Sequence, residues 1–294
     1  MKSEADAGTE LYLDLLKKTL TDALHERKCY LSVPRPKRPI KRAVFDFLVA
    51  RGITLVREVD ASVRGEGGER LPTGTAWLEV TSAHTLLGQQ RLNNLQWSVE
   101  DVLKRKVPGD IIETGVWRGG ACIFMRAILK AHGVRDRKVW AADSFEGLPA
   151  ADPTRYPMDR GSTFHQQRGF AVSLDEVRRN FEKYGLLDHQ VEFVKGWFCD
   201  TLPKLAGHTW AVIRLDGDMY QSTMEALVNL YPGLSTGGYV IVDDFGAVPA
   251  CRQAVLDFRQ SHCVHEAIRV IDWTGVYWQR ESARRLTQAL GDTA

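Results

Sequence analysis

Hydrophobic positions divide the chain at about Asp110. Before it, apolar residues at three- and four-residue spacing predict amphipathic helices over residues 10–26, 40–50 and 85–106. The first carries Leu11, Leu13, Leu15, Leu16 and Leu20, the second is ended by Gly52, and the third is stopped by Pro108-Gly109. Beyond Asp110, short apolar runs alternate with helical segments, the signature of βαβ units and a mainly parallel sheet. The runs predict strands at 111–113, 139–142, 191–194, 211–215 and 239–242. Ser173 and Glu176 form a capping box opening a helix with Val177, Phe181 and Tyr184 on one face. Pro249 suits the first position of a helix over Pro249–Ser261. Two last apolar runs, 268–271 and 275–278, flank Asp272-Trp273-Thr274 and predict an antiparallel hairpin closing the sheet edge. The proline-broken basic stretch 27–42 reads as a solvated connector and the Gly-, Glu- and Arg-rich stretch 64–74 as a flexible loop. The expected organisation is a helical extension over 1–107, a core over 108–281 and a fraying tail over 282–294.

Residues just past the strands carry the chemistry. The predicted strands end in Glu113, Asp143, Lys195-Gly196, Asp216 and Asp243-Asp244, and an open α/β sheet binds ligands outside the carboxyl ends of its strands. At the first strand, Glu113, Thr114, Gly115, Arg118, Gly119 and Gly120 form a glycine-rich turn into a helix. Such a turn lets the backbone approach a ligand and adds the partial positive charge of a helix amino terminus. Its pattern, E-x-G-x-x-x-G-G, differs from the pyrophosphate cradle of dinucleotide binders, and the acid ahead of the glycines suits a ligand with an amino group. Asp143, followed by Ser144, is placed to accept both hydroxyls of a ribose, or to cap the next helix. Gly196 and Trp197 offer a backbone amide and an aromatic face to an adenine, although Trp197 and Phe198 equally suit core packing. Together these positions describe S-adenosylmethionine.

Asp216 and Asp218 come after the fourth strand, and Asp243 and Asp244 after the fifth. Neighbouring strands lie about 5 Å apart, so these carboxylates repel and raise one another's pKa. A hard divalent cation relieves that conflict, and all-oxygen ligation favours magnesium. The alternative is helix capping with salt bridges to Arg214 or Arg252.

Composition narrows the classes. The 294 residues are 44% hydrophobic and 26% charged, with a formal net charge of +2, ordinary for a globular enzyme and no argument for a nucleic-acid partner. The five cysteines form no CxxC pair, which points to a reducing compartment and against a zinc site or disulfide framework. No signal core or membrane-length apolar run is present. A soluble, cytoplasmic protein is expected.

The segments VPGDIIETGVWRGGACIFMRA, ADSFEGLP, VKGWFCDTLP, RLDGDMYQST and IVDDFG, with LYLDLLKKTLT and HTLLGQQRLNNLQ upstream and IDWTGVYWQR at the end, resemble the macrocin O-methyltransferase (TylF-like) family over nearly the whole chain. The resemblance implies a class I methyltransferase (Rossmann-like) α/β fold, its sheet mostly parallel with an antiparallel C-terminal hairpin. It also implies magnesium-dependent methyl transfer from S-adenosylmethionine to a sugar hydroxyl of a glycosylated natural product. Carried onto this sequence, Asp216, Asp243 and Asp244 hold the metal, with Asp216 also beside the cofactor, and Asp218 is the general base. Thr85 and Leu86 contact the cofactor through their backbone, Leu86 standing where the family has a methionine. Relatives are usually homodimers or larger assemblies.

The mechanism expected from these residues is alignment of an acceptor oxygen behind a sulfonium methyl, with Asp218 removing its proton. The long segment 150–172 is expected to act as a lid, with His165 incidental to the chemistry. Three rivals remain: a catechol-type O-methyltransferase, a metal-dependent glycosyltransferase using Asp216-Gly217-Asp218, and a non-catalytic cofactor-binding scaffold.

Overall fold

A computed structural model describes residues 4–24, 29–33, 35–53, 55–59, 77–78 and 83–281. The loop expected at 64–74 and the tail after Glu281 lie outside the described residues. By contacts between residues the chain divides into two compact units, one of residues 1–21 with 84–294 and one of residues 22–83.

The larger unit begins with helix α1 (Glu4–Leu20). It starts earlier than the leucine pattern implied and buries Leu13, Leu16 and Leu20, while Leu11 and Leu15 stay exposed. Three- and four-residue spacing selects one face, and the two remaining leucines fall on the other. The smaller unit contains strand β1 (Cys29–Ser32), helix α2 (Pro39–Ala50), and strands β2 (Val56–Val59) and β3 (Trp77–Leu78). These strands pair antiparallel in the order β2-β1-β3. Stretch 27–42, read from sequence as a connector, therefore includes a strand and the first residues of α2. The prolines stay out of the strand, and Pro39 takes the first helical turn, where its missing N–H costs nothing.

Helix α3 (Gln89–Lys104) comes next, beginning four residues later than expected. Residues 84–88 are irregular instead, with Gly88 at the amino cap. Then come β4 (Asp110–Thr114), α4 (Gly120–Ala131), β5 (Val139–Asp143), α5 (Leu174–Lys183), β6 (Val191–Lys195) and the short α6 (Phe198–Thr201). The chain continues through β7 (Trp210–Leu215), α7 (Tyr220–Leu230), β8 (Leu234–Val242), α8 (Pro249–Ser261), β9 (Arg269–Val270) and β10 (Val276–Gln279). The seven-stranded sheet runs β6-β5-β4-β7-β8-β10-β9. Pairs among β6, β5, β4, β7 and β8 are parallel, and β10 is antiparallel to both β8 and β9. The five strands and the closing hairpin thus stand where the apolar runs placed them.

Burial reflects this layering. β7 is buried at every position, as a central parallel strand covered on both faces must be. One core cluster joins α1, α3, α4 and α5 to one face of the sheet, and a second joins α7 and α8 to the other. Ser173 caps α5 by accepting the Glu176 amide at 3.2 Å, and Val177 and Phe181 are buried. The sheet order reverses at β4, between β5 and β7, so a crevice opens above the carboxyl ends of these strands. Among the described residues no helix is long and apolar enough to cross a membrane.

Candidate active site

That crevice holds a cavity of about 450 Å³, within the range of cofactor and small-molecule pockets. Gly115 leaves β4 at φ 88° and crosses so close to β7 that a β-carbon would strike the Asp216 backbone. Gly120 opens α4 against the carbonyl of His84, which accepts its amide at 2.8 Å. A β-carbon there would meet the same carbonyl. This contact, with the His84 and Thr85 amides donating to the Leu20 carbonyl, holds residues 84–87 beside the turn, and Thr85 and Leu86 line the cavity. Three non-glycine residues with positive φ, Trp117 (47°), Phe145 (58°) and Asp218 (56°), lie at the strand ends around this crevice. Such conformations persist only where surrounding contacts enforce them, and they concentrate at functional sites.

Asp143 is fixed by three backbone and side-chain donors. Its Oδ2 accepts the Val116 amide at 2.7 Å, and its Oδ1 accepts the Phe145 amide at 2.7 Å and the Ser144 hydroxyl at 3.3 Å. Burial nonetheless holds its pKa above the usual carboxylate range, against the pull of these hydrogen bonds. Ser144, Gly196, Trp197 and Phe198 continue the wall, and Leu148, Pro149 and Phe170 supply an apolar side.

Across the cavity stand the acids after β7 and β8. One oxygen each from Asp216, Asp243 and Asp244 lies within 4.8 Å of the others. The wholly buried Arg214 reaches Asp216 at 2.8 Å and Asp243 at 2.5 Å, and also pairs with Glu113. Arg91, from α3, pairs with the second oxygen of Asp243 and reaches Asp272 at 3.0 Å. The salt bridge to Arg214 considered from sequence therefore forms, but within the acid cluster and not in place of it. Two guanidinium groups leave the surrounding carboxylates in excess. Burial first, then the charges of Asp216, Asp218 and Asp243, push the pKa of Asp244 far up. Burial, with Asp216 and Asp243, pushes Asp218 up to about 7. Three carboxylates gathered this closely offer hard oxygen donors that fit a divalent cation. Asp218 stands outside this triad, its amide donating to Asp244 at 3.3 Å.

The structure thus brings Thr85, Leu86, Gly115, Asp143, Ser144, Gly196, Trp197, Asp216, Asp218, Asp243 and Asp244 to one cavity. Glu113, Thr114, Arg118, Gly119 and Gly120 do not line it. Glu113, expected to meet an amino group, is buried behind the wall, paired with Arg214 and accepting from the Cys122 thiol at 2.8 Å. Burial pushes it up to about 7 although Arg214 pulls the other way. Thr114 is buried in β4, its carbonyl accepting the Asp216 amide at 2.8 Å. Arg118 lies over the Trp117 ring, its carbonyl accepting from Asn180 at 3.0 Å. Arg91, Trp117, Gln221, Glu225 and Trp273 also line the cavity, although sequence reasoning does not single them out. Arg91 and Trp273 sit inside HTLLGQQRLNNLQ and IDWTGVYWQR, so their signal is wording shared with the resembled family and not a strand-end position.

The segment 150–172 forms three short 3-10 turns. Asp159, buried, accepts the amides of Tyr220 at 2.8 Å and Gln221 at 3.0 Å, capping α7 from outside. The Trp117 indole donates to the Gly169 carbonyl at 2.8 Å. His165 is exposed. Cys122, Cys199, Cys251 and Cys263 are free thiols.

The chain is similar to several known proteins. The family described as Macrocin-O-methyltransferase (TylF) matches residues 9–280. An 8-demethyl-8-(2,3-dimethoxy-alpha-L-rhamnosyl)-tetracenomycin-C 4'-O-methyltransferase of Streptomyces olivaceus is 48% identical over 93% of this chain and 94% of its own. Mycinamicin III 3''-O-methyltransferase of Micromonospora griseorubida is 45% identical over 94% and 98%. Among solved structures, the O-methyltransferase NovP is similar with a TM-score of 0.75 and 44% identity, over 93% of this chain and 100% of that one. The calicheamicin methyltransferase CalS11, at 19% identity and a TM-score of 0.54, shares the fold.

Proposed function

The chain belongs to the macrocin O-methyltransferase family, and from that premise we propose that it methylates a hydroxyl of a sugar carried by a natural product. In this reading S-adenosylmethionine, when bound, supplies an electrophilic methyl, and a divalent cation such as magnesium supplies charge that acidifies the hydroxyl. Support comes from the named activities of relatives, one of which acts on a rhamnosyl-bearing compound. The single observation that carries the reading is the meeting, in one cavity, of the Gly115–Asp143–Gly196 rim with the Asp216–Asp243–Asp244 cluster.

The chain's own residues divide the work. Asp143 would hold ribose hydroxyls, Gly115 and Gly196 would present backbone to the cofactor, and Trp197 and Phe198 would face the adenine. Asp216, Asp243 and Asp244 would hold the cation. Arg214 and Arg91 orient these carboxylates, as outer-shell partners orient metal ligands. Asp218, kept apart from the triad but lining the same cavity, would take the hydroxyl proton. Segment 150–172, anchored at Asp159 and Gly169, would cover the cavity and exclude water.

The test is calorimetry with S-adenosylhomocysteine, then turnover on a panel of rhamnosylated compounds and catechols with magnesium or with chelator. Binding of S-adenosylhomocysteine and magnesium-dependent methylation of the glycosides are expected. Turnover of catechols alone would overturn the sugar assignment, and full turnover in chelator would overturn the metal. The reading also includes a homodimer or larger assembly, which light scattering in solution checks.

A further inference from the structure

Trp273 stands at the cavity wall with Arg91, Asp243, Asp244 and Thr274, and it is 55% exposed. Trp117, at the same cavity, has work within the fold, donating to Gly169 and carrying Arg118 over its ring, and Trp197 stands on the rim assigned to the cofactor. Among the described residues the Trp273 indole has no hydrogen bond, ion pair or ring partner. Single exposed apolar side chains are ordinary, but this ring stands at a cavity wall with its surface left open to a ligand.

Its turn is held rigidly. Asp272 accepts the amides of Thr274 at 3.0 Å and Gly275 at 2.7 Å. The Thr274 hydroxyl donates to the Asp243 carbonyl at 2.7 Å, and the Thr274 carbonyl accepts the Gly246 amide at 2.8 Å. Gly246 has no room for a β-carbon because the Trp273 carbonyl lies against it. Arg91 ties the same Asp272 to Asp243. The turn that carries Trp273 is therefore locked to the strand end that carries two of the acids.

We propose that Trp273 is the platform for the acceptor's sugar ring, its indole stacking on the C–H face of a hexose or deoxyhexose while a ring hydroxyl reaches toward the acids. The inference rests on the sugar reading above and names how that site recognises the ring. The C–H face of a pyranose is apolar and slightly positive, which matches the electron-rich face of an indole. A deoxysugar adds a methyl group and enlarges the apolar contact. Arg91 and the acids beside it are charged, and Ala247 and Thr274 are small, so none offers a ring face anything comparable.

The test uses the full-length protein saturated with S-adenosylhomocysteine and magnesium, and methyl α-L-rhamnopyranoside as the probe. Saturation-transfer NMR with irradiation of aromatic resonances is expected to label the probe's ring protons. Trp273→Ala should reduce that labelling and weaken the probe by about three- to tenfold, while Trp273→Phe restores most of both. S-adenosylhomocysteine affinity should be unchanged in either variant. Equal labelling and affinity in Trp273→Ala overturns the platform and leaves the sugar reading standing. Loss of S-adenosylhomocysteine binding in both variants also overturns it, because the residue is then structural. A wild-type protein that binds S-adenosylhomocysteine but no probe overturns the sugar reading and the platform with it.

Discussion

The guanidinium of Arg214 draws together acids from three strand ends: Glu113 from β4, Asp216 from β7 and Asp243 from β8. Removing it leaves buried carboxylates uncompensated, so Arg214→Met should destabilise the fold by about 3–5 kcal/mol, read from urea denaturation. Glu113 makes a separate pH prediction. Its native pKa of about 7 lies above the unfolded value of about 4.3, so the native state binds more protons in between. Its contribution to stability is therefore full below the unfolded value and is lost as pH rises toward 7. The stability of Glu113→Gln relative to wild type should rise between pH 5 and 7 in a denaturation series, and a flat difference would remove the raised pKa. For Asp218→Asn, turnover should fall about a hundred- to ten-thousand-fold with S-adenosylhomocysteine affinity retained. Steady-state kinetics with calorimetry separates this from a folding defect. The acids were legible as residues because each stands just past an apolar run. Arg214, two residues before Asp216, was legible as a partner too; Arg91 was not, since it reaches Asp243 from α3 across 152 residues of chain.

At the scale of elements, strands and caps were readable and edges were less so. The Ser173 cap is local chemistry, and Ser173→Ala should cost about 1 kcal/mol. The start of α3 departs from the sequence pattern because Thr85, Leu86 and Leu87 continue an apolar period without joining the helix. The segment is held out of the helix by the Gly120–His84 contact and by the bonds of His84 and Thr85 to Leu20, which only the fold supplies. Segment 150–172 shows the same dependence. Asp159 caps a helix that begins 61 residues later. Asp159→Ala should raise amide hydrogen exchange across that segment and at the start of α7. Unchanged exchange there would mean that the anchor does not restrain the segment.

For the whole molecule, membership in an O-methyltransferase family sets aside the glycosyltransferase and scaffold readings, and the parallel sheet with its antiparallel edge agrees with the class I fold. If the acid cluster holds a cation, chelation should abolish turnover while S-adenosylhomocysteine still binds, because the Asp143 side of the cavity is built from other strands. Added magnesium should restore the rate.

The sequence by itself determined the strand series, the hairpin, the capping box and the acids at the strand ends. These depend on side-chain period and on residues adjacent in the chain. Tertiary structure alone decided that Glu113 turns away from the cavity to Arg214, that Arg91 joins Asp243 to Asp272, and that Trp273 stands at the same wall. Those outcomes depend on which elements the sheet order makes neighbours, and on the cost of burying a charge without its partner. No local pattern in the chain encodes either.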